Sequence, residues 1–320
     1  MRESTSIRPT VSVIIVTWNN RDTINRCLDA ALGADVSTEI VVIDNASQDG
    51  TADYVASCYP FVMLLRNSEN RGFAAANNQG IACARGRFIL ILNPDAFLHK
   101  GTLEFLVRYL DTHHNVAVVG PQLLNEDGSV QSSRRRAPTR WTGFYESTQL
   151  QQWFGENALT RRYYVADRSD YEQQEIDWIT GACMLVRATA IAQAGSFDPG
   201  FHMYSEELEW CLRFKRYGWH IVYVPNVQVT HLLGHSSGQD ILRRHWNHNW
   251  SKLRLYTLLY GHLWATVLRV WLSTLYALQY LEELTKYMLI QHNRAMRRQR
   301  LNVLRAMASG LITGRPGDIS

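Results

Sequence analysis

Along the first hundred residues one pattern recurs: an aliphatic, β-branched run that ends in Asp and Asn. It occurs in VSVIIVTWNN (11–20), EIVVIDNASQDGT (39–51), VMLLRNSENRGF (62–73) and FILILNPDAF (88–97). Continuous apolar runs without polar alternation belong to strands buried on both faces of a parallel sheet. Between them lie helical stretches at 22–32, 50–58, 73–84 and 102–112, and VAVVG (116–120) reads as a further strand. Strands alternating with helices predict an α/β fold with a mostly parallel, doubly wound sheet flanked by helices. Ligands of such sheets bind beyond the carboxyl ends of the strands. Four deliveries of carboxylates and amides to that edge suit an extended polar ligand such as a sugar nucleotide.

Downstream the pattern loosens. Residues 121–175 are polar and aromatic, with a turn at Asn125–Gly128, and read as an inserted hairpin and loop. DWITGACMLVRATAIAQAG (177–195) is a strand leading into a helix, a second helix spans about 205–217, and HIVYVPNVQVTH (220–231) is a strand with a polar end. From residue 241 the texture becomes helical and rich in Leu, Trp and Tyr, so the chain divides at 1–240 and 241–320. The stretch 263–281 has the length of a bilayer span, but it contains Arg269 and is closely flanked by charge. A packed or interfacial amphipathic helix is the favoured reading there, ahead of a membrane span or a homo-oligomer interface.

Composition narrows this picture. A hydrophobic fraction of 46% with 19% charged residues is that of a chain with a real core. The net charge of +4 is unevenly placed, in Arg134, Arg135 and Arg136 and again in Arg294, Arg297, Arg298, Arg300 and Arg305. The second cluster follows the apolar region, where an anionic membrane surface is the natural partner. No basic strip interleaved with aromatics supports nucleic acid. Five dispersed cysteines without a CxxC pair argue for reduced thiols and a cytoplasmic setting, against a disulfide framework or zinc site. The N-terminus, MRESTSIRPT, carries no apolar signal region.

Asp44 and Asn45 end the second strand, where a carboxylate can accept hydrogen bonds from a base or ribose; DNASQDG is equally a good turn. Asn93 and Asp95 flank Pro94, and Asp95 offers a hard oxygen to a divalent cation, with an Asx turn as the plainer account. Glu206, Glu207 and Glu209 open a helix, as the helix dipole favours. Glu209 stands four residues before Arg213, the spacing of an ion pair, and shares a face with Glu206. Glu207 points elsewhere, which leaves it the freest to act as a general base, unless it is simply a solvated surface residue. His231 ends the strand 220–230 and, with Asp95, makes a second ligand for a manganese-like ion.

Together VSVIIVTWNN, VVIDNASQDGT, NRGFAAANNQG, ILNPDAFL, WITGACMLVRA, FDPGFHMYSEELEWCLRFKRYGW and the VTH at His231 resemble glycosyltransferase family 2 enzymes of GT-A fold. The bacterial rhamnosyltransferase and galactofuranosyltransferase branch is the nearest match, over residues 11–231, about two thirds of the chain. The resemblance implies that Thr17, Asn19 and Asp44 contact the nucleoside, with Asn45 shaping the turn and Arg71 near the base or diphosphate. It makes Asn93 and Asp95 the family's DxD-like motif, Asn93 removing one negative charge, and His231 the completion of a Mn2+ or Mg2+ shell. Glu207 matches the catalytic base, second of an acidic pair with Glu206, while Trp178 and Gly181 line the acceptor pocket beside that pair. Inversion at the anomeric carbon follows, with dTDP-rhamnose the favoured donor and a UDP-sugar the second. The expected acceptor is a lipid-linked saccharide of the cell envelope, met by an enzyme peripheral on the cytoplasmic face of the membrane.

Two other classes compete. A non-catalytic sugar-nucleotide-binding protein on the same scaffold would have no use for Asp95, Glu207 and His231 together. A dinucleotide-dependent oxidoreductase would carry GxGxxG after the first strand, where WNNRDT stands.

Overall fold

A computed structural model describes residues 8–232, 241–290 and 292–314, which fall into two compact units. The first comprises residues up to 137 together with 164–239, and the second 138–163 together with 240 onward.

The first unit opens with the alternation the apolar runs predict: β1 (Val11–Thr17), α1 (Ile24–Leu32), β2 (Thr38–Asp44), α2 (Thr51–Cys58), β3 (Met63–Arg66), α3 (Phe73–Cys83) and β4 (Phe88–Leu92). After them come β5 (Ala96–Leu98), α4 (Thr102–Thr112), β6 (Val116–Leu124), β7 (Val130–Gln131) and β8 (Arg134–Arg135). Residues 8–137 thus hold four of the strands that the sequence places at the site, with boundaries within two residues of expectation. α1 buries Ile24, Cys27, Leu28 and Ala31, one face of a 3.6-residue period. Every residue of β4 and β6 is buried, and full burial of an aliphatic side chain such as Ile14 or Ile43 contributes roughly 2 kcal/mol. Gly80 lets α3 lie close on the sheet: a Cβ there would stand 2.5 Å from Ile14 Cγ2.

The region 121–175 forms the expected hairpin, with Leu123 opposite Gln131 across β6 and β7. It also forms three short helices, α5 (Thr142–Tyr145), α6 (Gln149–Phe154) and α7 (Ala158–Tyr163). These are too short to show a period in sequence. The first unit continues with β9 (Gln174–Ile176), β10 (Trp178–Ile179), β11 (Cys183–Arg187), α8 (Ala188–Ala194), α9 (Glu206–Arg216) and β12 (His220–His231).

Strand order across the main sheet is β3-β2-β1-β4-β11-β6-β12-β5. β1 runs parallel to β2 and β4, and β12 parallel to β6, while β11 runs antiparallel to both β4 and β6. Two antiparallel steps restore direction, so β1, β2, β3, β4, β6 and β12 all end at one edge, and β11 begins there. That edge carries Thr17, Asp44, Asn93, Gly181 and His231.

The second unit contains α5–α7, α10 (Ile241–Leu289) and α11 (Arg294–Thr313). Gly261, at φ +82°, interrupts the helical backbone of α10. Leu268 and Leu272 of α10 pack with Met307 and Leu311 of α11 in a core that also takes Leu253 and Tyr256. The segment 138–163 is held to that core by polar tips of aromatic side chains. Tyr256 donates to Thr139 O at 2.9 Å, and Trp271 Nε1 donates to Phe144 O at 2.9 Å. His245 and His248 pack inside this unit, and burial beside Lys252 lowers the His248 pKa to about 4. No helix among the described residues is long and apolar enough to cross a membrane, which removes the spanning alternative for 263–281.

Candidate functional site

At the sheet edge, β1 and β2 finish in register, Thr17 beside Asp44, and Asp44 lies beside Arg66 of β3. Asp44 Oδ2 accepts the Ser47 N–H at 3.0 Å, while its Oδ1 is buried without a hydrogen-bond partner. An orphaned carboxylate oxygen is costly in a native interior, and Asp44 Oδ1 stands as an open acceptor at this edge. Asn19, at φ +54°, accepts the Gln48 N–H at 2.8 Å and stitches the β1 and β2 loops together. The Thr17 hydroxyl donates to Asn20 Oδ1. Asn20, visible in sequence only as a polar strand end, also accepts the Trp18 N–H and donates its own backbone N–H to the Thr51 hydroxyl.

Asn45 is occupied by structure. Its Oδ1 accepts from Asn67 Nδ2 and from the Arg71 N–H, and its Nδ2 donates to Asn70 Oδ1. This fixes the NRGF turn and leaves the Arg71 side chain exposed at the edge. Gly72, at φ +82°, lies so close to His202 that a Cβ would stand 2.3 Å from its carbonyl oxygen. The Phe73 N–H donates to that same oxygen at 2.7 Å, tying α3 to the loop that leads into α9.

α9 carries the three glutamates. Glu209 forms the ion pair its spacing predicts, with Arg213 Nη2 at 2.7 Å. Glu206 is buried with Oε2 unpartnered, and burial, reinforced by the charge of Glu207, raises its pKa well above the carboxylate range. Glu207 is not a solvated surface residue: its Oε2 is likewise buried and unpartnered. Burial raises its pKa too, opposed by hydrogen bonds from its own backbone N–H and from that of Gly181, and by the charge of Arg135. Two adjacent acids in this state hold their protons to a higher pH than ordinary carboxylates do. Two consecutive residues at positive φ, Tyr204 and Ser205, precede them, a backbone cost of the kind found where a site is held in shape.

Gly181 links this acid pair to the LNPDA turn. Its neighbour Ala182 accepts the Asn93 N–H at 2.9 Å, and a Cβ on Gly181 would lie 3.8 Å from Glu207 Cβ. Asp95 and His231 meet through the β5–β12 ladder, where His231 is opposite Ala96. His231 Nε2 stands 3.4 Å from Asp95 Oδ1 and 3.3 Å from Asn93 Nδ2, all buried or nearly so. Hard carboxylate oxygen beside imidazole nitrogen fits Mn2+ or Mg2+ chemistry. No cluster of three or more His, Cys, Asp or Glu among the described residues could hold an ion unaided. Asp95 and His231 would therefore need further ligands to hold a cation.

Trp178 is 7% exposed, and its indole N–H donates to Arg136 O at 3.2 Å. Its ring secures the two-stranded β8–β10 ribbon, in which it lies opposite Arg135, so little of the ring faces outward. Arg135 itself, beside Tyr164 at 4.5 Å and electrostatically coupled to Glu207, was read in sequence only as part of a basic cluster. Gln131, whose amide meets His231, gave no signal beyond lying just after the hairpin turn.

Comparison with known proteins bears on this arrangement. The description Glycosyl transferase family 2 matches residues 12–188, more than half of the chain. An N-acetylglucosaminyl-diphospho-decaprenol L-rhamnosyltransferase of Mycobacterium tuberculosis (strain ATCC 25618 / H37Rv) is 29% identical over 240 residues, 71% of this chain and 78% of that protein. Rhamnosyltransferase WbbL of Escherichia coli (strain K12) is 25% identical over 234 residues, 71% of this chain and 85% of the other. Among solved structures, a mannosyltransferase of Pyrobaculum calidifontis in complex with GDP-Man and Mn2+ superposes with a TM-score of 0.52 at 18% identity, over 96% of this chain and 88% of that one. GalNAc-T7 with UDP, GalNAc and Mn2+ does so at 0.57 and 17% identity, over 98% and 59%. At such identities the likeness is one of fold.

Proposed function

The chain belongs to glycosyl transferase family 2, and on that footing we propose that it is an inverting, metal-dependent transferase moving a sugar, best L-rhamnose from dTDP-rhamnose, to a hydroxyl of a lipid-linked saccharide. The sugar and acceptor rest on the rhamnosyltransferases among its relatives. One observation carries the reading: two buried carboxylate oxygens without partners, Asp44 Oδ1 and Glu207 Oε2, belong to the same unit as the Asp95–His231 pair. Asp44 accepts from the nucleoside, with Thr17 and Asn19 shaping its loop and Arg71 reaching the diphosphate. A bound Mn2+ or Mg2+, held by Asp95 and His231 with Asn93 beside them, would supply positive charge against a departing diphosphate. Glu207 takes the proton of the acceptor hydroxyl as that oxygen attacks opposite the leaving group. Gly181 N–H and Arg135 keep its carboxylate available for this against the cost of burial, and Glu206 stands next to the acceptor.

Membrane-surface contact is part of the proposal. The exposed positions of α10 from Leu263 to Leu281 are Leu263, Thr266, Val267, Val270, Thr274, Ala277, Leu278 and Leu281, with no charge among them. On α11, Arg294, Arg298, Arg300 and Arg305 are exposed, and 292–314 holds no acid. Arg300 lies 3.7 Å from Glu283 of α10, and an uncharged face beside the other exposed arginines suits an anionic lipid surface.

The test is transfer from a panel of dTDP- and UDP-sugars to a polyprenyl-diphosphate-linked saccharide, with Mn2+ and with chelator. The expected outcome is metal-dependent transfer, greatest with dTDP-rhamnose. Binding of nucleotide sugars with neither transfer nor hydrolysis under any condition would establish the binding-protein alternative instead.

A further inference from the structure

His231 Nδ1 lies 2.7 Å from Gln131 Oε1, and the surroundings of Gln131 fix which way its amide faces. The other end of that amide lies 3.1 Å from the backbone carbonyl oxygen of His231 and 2.9 Å from Asn125 Oδ1. A backbone carbonyl can only accept a hydrogen bond, so the group facing it is the NH2. Asn125 is oriented in the same sense, since its Nδ2 donates to Ser129 Oγ at 2.9 Å. Ser129 in turn gives its hydroxyl and backbone N–H to Asp127 Oδ1. With the NH2 placed, Gln131 presents its carbonyl oxygen to His231, and an amide oxygen has only lone pairs. The proton of the imidazole therefore sits on Nδ1, and Nε2 turns a bare lone pair toward Asp95 and Asn93. In that state Nε2 cannot donate to Asp95 Oδ1 at 3.4 Å, so the carboxylate is not satisfied by the ring. His231 Nε2 accepts from Asn93 Nδ2 at 3.3 Å instead.

From this geometry we infer that Gln131 is a positioning residue which locks His231 in the Nδ1–H tautomer, and so prepares Nε2 to ligate a divalent cation together with Asp95. A ligating histidine whose far nitrogen donates to a fixed acceptor is oriented and made a better ligand, and loss of such a partner costs 10- to 100-fold in metal affinity. An amide does this without the negative charge a carboxylate would add. The support reaches back through the hairpin: Gln131 is 8% exposed, opposite Leu123 in the β6–β7 ladder, so the turn at 125–129 and the ion site share one hydrogen-bonded chain. The use of the tautomer rests on the metal-dependent transferase reading; its existence rests on the hydrogen-bond directions alone.

Two measurements on the full chain separate these. Long-range 1H–15N correlation on 15N-histidine protein without metal, with the His231 signals identified by their loss in His231→Asn, reads the tautomer directly. Nδ1–H is expected in the wild type and in Gln131→Glu, which keeps an acceptor facing the ring, and a mixture in Gln131→Leu. Mn2+ affinity in the presence of dTDP, followed by electron paramagnetic resonance, should weaken 10- to 100-fold in Gln131→Leu and only a few-fold in Gln131→Glu. Metal-free dTDP binding should stay unchanged in both. An Nε2–H tautomer in the wild type overturns the inference whatever the metal does, as does a Gln131→Leu protein with wild-type tautomer and Mn2+ affinity. If Gln131→Leu does not fold, the wild-type spectrum and Gln131→Glu decide. Mn2+ binding that is equal in wild type and His231→Asn would sink the metal site while leaving the tautomer result standing.

Discussion

The sheet unit buries Glu206 and Glu207 side by side with an oxygen of each unpartnered, whereas the helical unit buries Lys252 against Glu146 at 3.2 Å and Glu283 against Arg297 at 2.8 Å. Among the described residues the orphaned buried carboxylate oxygens all lie in the sheet unit: Asp44 Oδ1, Glu104 Oε2, Glu206 Oε2 and Glu207 Oε2. In the helical unit charge is buried as pairs. Unpaired buried acid is a standing cost to stability, and in the sheet unit three of these four oxygens stand at or beside the edge where its strands end. The difference separates a region shaped by chemistry from one shaped by packing.

Removing the charge at one position gives the sharpest break in that contrast. Glu207→Gln should lower kcat by roughly 10²- to 10⁴-fold while dTDP-sugar binding, measured by calorimetry, stays intact. Near-normal turnover would return Glu207 to a structural role. Because burial raises the Glu207 pKa, the acid limb of the wild-type rate profile should fall above the ordinary carboxylate range.

The two units should also fail at opposite ends of the pH scale. Raised pKa values at Glu206 and Glu207 mean that the folded state holds protons the unfolded chain releases. Stability from these groups is complete below the ordinary carboxylate pKa and is lost as pH climbs through their raised values. His248, depressed to about 4, behaves oppositely: its contribution is complete above about 6.5 and is lost as pH falls toward about 4, up to about 3 kcal/mol. In thermal unfolding across pH, Glu206→Gln should flatten the alkaline limb and His248→Gln the acid limb. Identical profiles for both variants and the wild type would dissolve the contrast.

The smallest effect belongs to the helical unit's surface. Leu278→Ser with Leu281→Ser should reduce co-sedimentation with phosphatidylglycerol vesicles roughly 30-fold, each exposed apolar side chain contributing on the order of 1 kcal/mol at a membrane interface. Transfer to a short soluble acceptor should be unaffected. Equal vesicle binding, or a wild type that pellets equally with neutral vesicles, would remove the anionic lipid surface as partner.

The same contrast governs what could be read from the residues alone. The strands of the sheet unit were legible because buried parallel strands are written as unbroken aliphatic runs, and their polar ends fall together once the runs are parallel. The Glu209–Arg213 pair was legible because helical spacing is local. Gln131 was not, since its partner His231 lies 100 residues away and an isolated Gln after a turn has no pattern. Asn20 and Asn45 were visible as polar ends, but their full use in holding loops depends on neighbours that only the folded chain supplies. The hold on Trp178 was not legible either, because sequence shows an aromatic and not the carbonyl that claims its N–H. The short helices of 138–163 gave no period to detect.

The pairing of β5 with β12 brings Asp95 against His231, which lies 136 positions further along the chain. A contact of that sequence separation closes a long loop before it is rewarded. During synthesis Asp95 therefore leaves the ribosome long before its neighbour His231, and the two meet only once the last strand of the sheet is made.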